Sequence, residues 1–397
     1  MDKLKTLSFI FIFTNYTFGN ISIIGFLSIR VVLFLIISIL LLSRVNKKVT
    51  NTFNYVYIPL FAILIFFSFS GLLDYNTNKA DYFLNTIVSK YIIPFIVFIS
   101  LRYITIDKKF LISFSKVLFL LFFFNNIVVL FQSFNSYWAF QISEIMGNKE
   151  FFETMRRAEK LNTYPGFSTV VMSGYFACAS LPISHFFIVR SNSIFKKIFY
   201  LLSMVLGIYS SYILQERSGF TLIILYLFFI FVYEIKQQSL QLRFFYIFLS
   251  FPIIFYVLDY IYLIDFGRLV EFSDEIRIQT IQKSLIFIES NFLFGGINTF
   301  LKSSILPHNV FFDAFIRGGI FSFLIIVFLL SHIFKASILL LTNKNYSDLI
   351  WVLLMFILNS FVHNLGLTNF DLITLFLTII ILNVSKKSNS NINQRIS

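Results

Sequence analysis

Apolar positions along this chain come in long blocks, and polar positions come in short stretches between them. A helix needs about 20 residues, mostly apolar, to cross the hydrocarbon core of a bilayer. Measured against that length, the blocks predict spans near 6–24, 28–43, 54–73, 84–101, 110–134, 166–189, 197–215, 218–234, 244–263, 308–333, 348–365 and 371–384. They lack the apolar–polar alternation that the strands of a transmembrane barrel require. The expected fold is an all-α polytopic membrane protein with about 12 transmembrane helices. These form one transmembrane domain over 1–384, and a polar, Asn/Ser-rich tail at 385–397 is expected to be disordered. Lys3 and Lys5 before the first apolar run resemble a signal peptide, but no small-residue cleavage site follows. The run is expected to stay as an uncleaved first span.

The basic residues orient the spans. With the amino terminus in the cytoplasm, the inner loops carry Arg44, Lys47 and Lys48; Arg102, Lys108 and Lys109; Arg190, Lys196 and Lys197; Lys236 and Arg243; Lys335 and Lys344; and Lys386 with Lys387. The short outer loops carry few, Lys79 in one and none in 366–370. That asymmetry follows the positive-inside rule, and an even number of spans leaves both termini in the cytoplasm. Two outer segments, near 135–165 and 264–307, are far longer than the rest. Loops of that length are uncommon unless they have a function.

Composition agrees with this picture and narrows the chemistry. The 397 residues are 58% hydrophobic and 13% charged, with a mean hydropathy of +0.83. A soluble domain is nearer half apolar and a quarter charged. Phe contributes 57 residues, which fits a compositional bias of the source genome. The net charge of +13 does not argue for nucleic acid, because the basic residues sit in the loops that topology dictates. The single cysteine, Cys178, lies in an apolar block and is expected to be a buried structural thiol. There is no Walker A or dinucleotide-binding glycine pattern, no metal-ligand spacing, and no inner domain large enough for a nucleotide. No cofactor or metal is expected, a self-contained ATP-driven pump is excluded, and any reaction must draw on an already activated substrate.

Polar residues gather in the outer segments. In the second long loop, Ile278, Ile281, Leu285 and Ile288 recur at helical spacing. Ser273 suits an N-cap, and Asp274 and Glu275 suit the positive end of a helix dipole. The loop therefore predicts an amphipathic helix between the ninth and tenth spans, lying along the membrane surface with Arg277 at headgroup depth. The alternative for Arg277 is pairing with a neighbouring carboxylate. His308 opens the tenth span, as a helix-start polar residue or as a base able to accept a proton near neutral pH. Deeper in that span, Asp313 and Arg317 are one turn apart and suit an intrahelical pair. Charges at that depth should face protein or water. Arg217, in the tight turn Gln215–Glu216–Arg217–Ser218–Gly219, can fork onto a phosphate or snorkel as an anchor. Arg156, Arg157 and Lys160 alternate with Glu150, Glu153 and Glu159 in the first long loop, a mixed face that can also help hold an anion.

In this order the elements resemble the superfamily of O-antigen ligases and Wzy-type polysaccharide polymerases. The resemblance runs from about Arg156 to Leu330. It rests on Arg217-Ser218-Gly219, on Arg277, on Phe292 to Phe300 ("FLFGGINTF"), and on His308-Asn309 followed by Gly318-Gly319. Tyr164 to Ala177 ("YPGFSTVVMSGYFA") is similar to the segment that opens the middle span. The resemblance implies a GT-C-like fold in the bacterial cytoplasmic (inner) membrane. It implies glycosyl transfer on the outer face between undecaprenyl-diphosphate-linked oligosaccharides, without nucleotide sugar or metal. Arg217 and Arg277 would hold the diphosphate, and His308 would be the general base. Arg156, Arg157, Asn309 and Arg317 are candidates for further substrate contacts. A flippase and chain-length regulator proteins are the implied protein partners. Within this chemistry, a polymerase joining repeat units is preferred to a ligase. The rival of another class is a flippase or transporter for the same lipid-linked sugar.

Overall fold

The computed structural model describes residues 108–135, 166, 170–214, 217–236, 273–304, 307, 309–341 and 348–362. It also describes isolated positions at 22–24, 27–29, 32, 36, 62–63, 65–66, 137, 141, 145, 377–378 and 381. The spans expected at 84–101 and 244–263 and the tail at 385–397 lie outside these residues. Those at 54–73 and 371–384 are met only at isolated helical positions.

Eight helices stand among the described residues: α1 (Lys108–Phe134), α2 (Val170–Arg190), α3 (Ile194–Leu214), α4 (Arg217–Lys236), α5 (Ser273–Ser290), α6 (Ile297–Leu301), α7 (Val310–Leu341) and α8 (Asp348–Val362). Of these, α1, α2, α3 and α7 are long and apolar enough to cross a bilayer. Shorter apolar stretches, Thr221–Val232 and Asp348–Leu358, lie in α4 and α8. The expected helical spans at 110–134, 166–189, 197–215, 218–234 and 348–365 therefore have helices, shifted by a few residues at their ends. One difference concerns the first two spans. Ser22–Ile24 (β1) and Leu27–Ser28 (β2) pair as an antiparallel ribbon, with Ser22 opposite Ser28 and Ile24 opposite Leu27. At Ser22–Ile24 strand thus stands where helix was expected. Ile23 and Ile24 are β-branched, and only Gly25 and Phe26 separate the strands, the spacing of a tight hairpin.

The centre of the described bundle is α2, which packs against α1, α3, α4 and α8. Its sequence explains that position. Ser173, Ala177, Cys178, Ala179, Ser180 and Ser184 are small and buried, and they let neighbours approach from several sides. Gly207 on α3 marks the closest approach. A Cβ there would strike Ser180 Oγ and lie 2.8 Å from the Ala177 carbonyl.

Association of helices in lipid gains nothing from the hydrophobic effect, so packing and interhelical hydrogen bonds must hold them. A buried polar seam does this between α1, α2 and α3. Asn126 Nδ2 donates to Ser180 Oγ (3.3 Å), Ser173 Oγ to Asn125 Oδ1 (3.2 Å), and Ser210 Oγ to the Asn126 carbonyl (3.3 Å). At one end Gln132 clasps the turn before α2: the Gly166 N–H donates to Gln132 Oε1 at 2.9 Å. Gly166 has φ +59°, and a Cβ would meet Ser173 Oγ and Asn125 Oδ1. At the other end of α2, His185 Nδ1 lies 3.0 Å from Asp348 Oδ1 at the start of α8. Tyr175 reaches across to α8 as well, donating to the Val352 carbonyl at 2.9 Å. The expected burial of Cys178 is met. The far side of α3 is apolar and exposed, with Phe195 (81%), Leu202, Val205 and Tyr212 facing outward. An apolar face along a helix long enough to cross a bilayer is a surface for lipid.

Candidate functional site

The tenth expected span is not one helix. Within α7, Gly318 (φ −152°, ψ 23°) and Gly319 (φ 61°, ψ −150°) leave helical geometry. A break in a membrane helix frees backbone groups that must find partners. The segment between α5 and α6 supplies them. The Gly296 N–H donates to the Ile316 carbonyl, and the Ile320 N–H donates to the Phe292 carbonyl, both at 2.8 Å. The approach is so close that side chains are excluded on both sides of the contact. A Cβ on Gly295 would lie 2.6 Å from the Phe315 carbonyl and 2.7 Å from that of Ile316. One on Gly319 would strike the Leu293 carbonyl. Phe292 packs on Phe315, and Phe294 on Phe321. The two glycine pairs, 295–296 and 318–319, are therefore complementary halves of one joint. Both pairs stand out in the sequence, but nothing there connects them, and 308–333 was expected to be uninterrupted.

The loop helix expected at 276–288 is α5, which packs against α7. It already includes Ser273, a residue earlier than an N-cap at that position requires. Ser284 is buried and Phe287 stacks edge-on against Phe300, so this side faces inward. Ile278 (55%), Ile281 and Leu285 flank it and stay exposed. Gln279, Gln282, Lys283 and Glu289 lie on the remaining side, also exposed. Ile286 (68%) stands among these polar residues, so the exposed side is mixed and the amphipathic division expected from the sequence is not observed. Arg277 belongs to this helix, one residue before the apolar flank begins.

The start of α7 is built by Asn309. Its side-chain Oδ1 accepts from the N–H groups of Phe311 (2.9 Å) and Phe312 (3.3 Å), a helix cap. The oxygen of this candidate substrate contact is thereby committed to the backbone. One turn down, the Asp313 carboxylate receives Arg317 Nε through both oxygens at 2.8 Å. The pair is mostly buried, 5% exposed for the Asp313 side chain and 12% for Arg317. The intrahelical pairing expected from the spacing is present, and it sits immediately before the break. Asn309, Asp313 and Arg317 are spaced by four residues, so they share one face of the first half of α7.

Arg217 is the first residue of α4. That helix packs on α2, α3 and α8, and α8 in turn packs on α7. The fold thus brings together Arg277's helix, the glycine joint, Asn309 and Arg317, and links Arg217's helix to them through α8. His308, Arg156 and Arg157 lie outside the described residues. Sequence reasoning missed the buried polar seam, although two adjacent asparagines, Asn125 and Asn126, inside an apolar block were its signal. Among the described residues, no cluster of His, Cys, Asp or Glu is arranged to hold a metal ion.

No protein family and no curated protein sequence matches this chain. The helices themselves define its class: an α-helical membrane protein whose apolar surfaces associate with a lipid bilayer.

Proposed function

We propose that this protein is a glycosyltransferase of the bacterial cytoplasmic membrane that polymerises undecaprenyl-diphosphate-linked oligosaccharide repeat units on the outer face. In this reading about 12 spans cross the membrane, with both termini inside. The first half of α7, α5 and the head of α4 then face outward. A hydroxyl of the acceptor sugar attacks the anomeric carbon of the donor. The bond from that carbon to the diphosphate oxygen breaks, undecaprenyl diphosphate leaves, and His308 takes the hydroxyl proton. Negative charge grows on the leaving diphosphate, so guanidinium groups that bind it more tightly as charge develops lower the barrier. Arg217 and Arg277 are assigned that role, with Arg317, Arg156 and Arg157 as further anion contacts. No nucleotide sugar or metal takes part.

One observation carries the reading: the segment that follows the helix of Arg277 is stitched into a broken span beside the Asp313–Arg317 pair. In this reading Arg277 sits at headgroup depth, and the helix that carries it is joined to the span that carries the buried Arg317, as a lipid-linked diphosphate requires. The test is transfer by the purified protein in lipid nanodiscs, given undecaprenyl-diphosphate oligosaccharide. Chain extension is expected, and His308→Ala is expected to reduce its rate about 100- to 10,000-fold. An unaltered rate in that variant removes the base assignment. A ligase is the same chemistry with another acceptor. Deletion of the gene separates the two: surface glycan reduced to a single repeat marks a polymerase, and long lipid-linked chains left unattached mark a ligase.

The interrupted α7 favours a second reading, because broken helices are a mark of secondary transporters. Translocation of the lipid-linked sugar, with no extension by the unmodified protein, would decide for it.

A further inference from the structure

We propose that Asp313 is a positioning residue: it orients the Arg317 guanidinium beside the break in α7 for contact with the substrate's diphosphate. This rests on the glycosyl-transfer reading and adds to it a residue with no role there so far. Both carboxylate oxygens accept from the single Arg317 Nε–H at 2.8 Å, a charge-assisted three-centre contact that holds the Nε edge of the guanidinium in place. The carboxylate is almost wholly buried, whereas the Arg317 side chain keeps some exposure. Fold stability alone does not account for such a pair. Replacing a buried ion pair by apolar side chains of similar volume is often neutral or stabilising. Ionisable residues held within a membrane domain are by default functional. The position points the same way. Helical geometry ends directly after Arg317, and the joint at Gly295, Gly296 and Gly319 holds that end fixed against α5, the helix of Arg277. Two guanidinium-bearing elements are thus locked together, one of them with its orientation set by a carboxylate.

The experiment uses the full-length protein in nanodiscs and measures three things: thermal stability, kcat, and KM for undecaprenyl-diphosphate oligosaccharide. Three variants are compared: Asp313→Asn, Asp313→Glu, and the exchange Asp313→Arg with Arg317→Asp. A merely structural pair is restored by the exchange, because the opposite charges still meet one turn apart. A positioned guanidinium is not, because it has moved a turn away from the break. The expected result is a KM raised about 10- to 100-fold in Asp313→Asn, the scale of one charge-assisted hydrogen bond. Asp313→Glu is expected to raise KM with stability retained, and it covers the case in which Asp313→Asn fails to fold. The exchange is expected to recover stability and leave KM high. Wild-type KM in the exchange, or in a folded Asp313→Asn or Asp313→Glu, overturns the positioning role while leaving glycosyl transfer intact. Absence of transfer by the unmodified protein overturns both.

Discussion

Replacing Gly319 by alanine puts a methyl group against the Leu293 carbonyl and 2.6 Å from the Phe294 nitrogen, at a φ of +61°. Neither contact can yield cheaply, because both are backbone. Backbone strain of this kind is of order 1–3 kcal/mol before the clash is counted. Gly319→Ala is therefore expected to lower the apparent melting temperature by several degrees, read by thermal unfolding in nanodiscs. Asn309 allows a finer test. Asn309→Ala removes the cap and is expected to lower stability by about 1 kcal/mol, whereas Asn309→Asp keeps an accepting oxygen and stays near wild type. If Asn309→Asp transfers sugar at the wild-type rate, the residue acts as a cap only. At this scale the sequence was partly legible. The four-residue spacing of Asp313 and Arg317 sufficed to expect their pairing. That Asn309 spends its oxygen on the backbone was not readable, since a polar residue after a histidine fits either role.

Helices α1, α2 and α3 are held by close approach more than by hydrogen bonds. Single interhelical hydrogen bonds in membrane proteins average about 0.6 kcal/mol. Ser180→Ala, which removes one partner of Asn126, should therefore lower stability only by about that amount. Gly207→Leu should do far more, because it forces apart two backbones in contact. Ser211→Ala is expected to act in the opposite sense. The Ser211 hydroxyl is buried and, among the described residues, unpartnered, so its removal relieves a desolvation penalty of about 1–3 kcal/mol. Denaturation of the three variants side by side checks the order. Element existence was legible wherever an apolar block was long, as at 110–134 and 218–234. Which face of each helix turns inward was not. On α5 the apolar repeat Ile278–Ile281–Leu285 marked a side expected to lie on the membrane surface, and nothing in the sequence marked Ser284 and Phe287 as the side against protein. A period marks a face as apolar without saying whether protein or lipid covers it. The break at Gly318–Gly319 escaped for a related reason: its cause is a segment before the helix, which no pattern within the helix records.

Across the whole molecule, α2 and α8 are tied at His185 and Asp348, 163 positions apart in sequence. In a Cys178→Ala background, cysteines at 185 and 348 should be joined within one chain by a short bifunctional thiol reagent, detected as a gel shift. A failure to cross-link would contradict this packing of α8 on α2. Orientation has its own check. Cysteines replacing the exposed Gln282 and Asn192 are expected to differ, with position 282 labelled by an impermeant reagent on intact cells and position 192 only after permeabilisation. The joint in α7 also bears on biogenesis. The Phe292–Gly296 segment is synthesised before the helix it interrupts, so in the proposed orientation it has already crossed the bilayer when residues 310–341 leave the ribosome. A variant in which that segment arrives late, such as a circular permutant starting at Val310, would have to insert α7 first as a continuous rod. It would then have to unwind at the two glycines inside lipid, where backbone groups have no water to turn to. Such a permutant should insert fully and yet mature slowly, with protease protection at 316–320 lagging behind membrane integration.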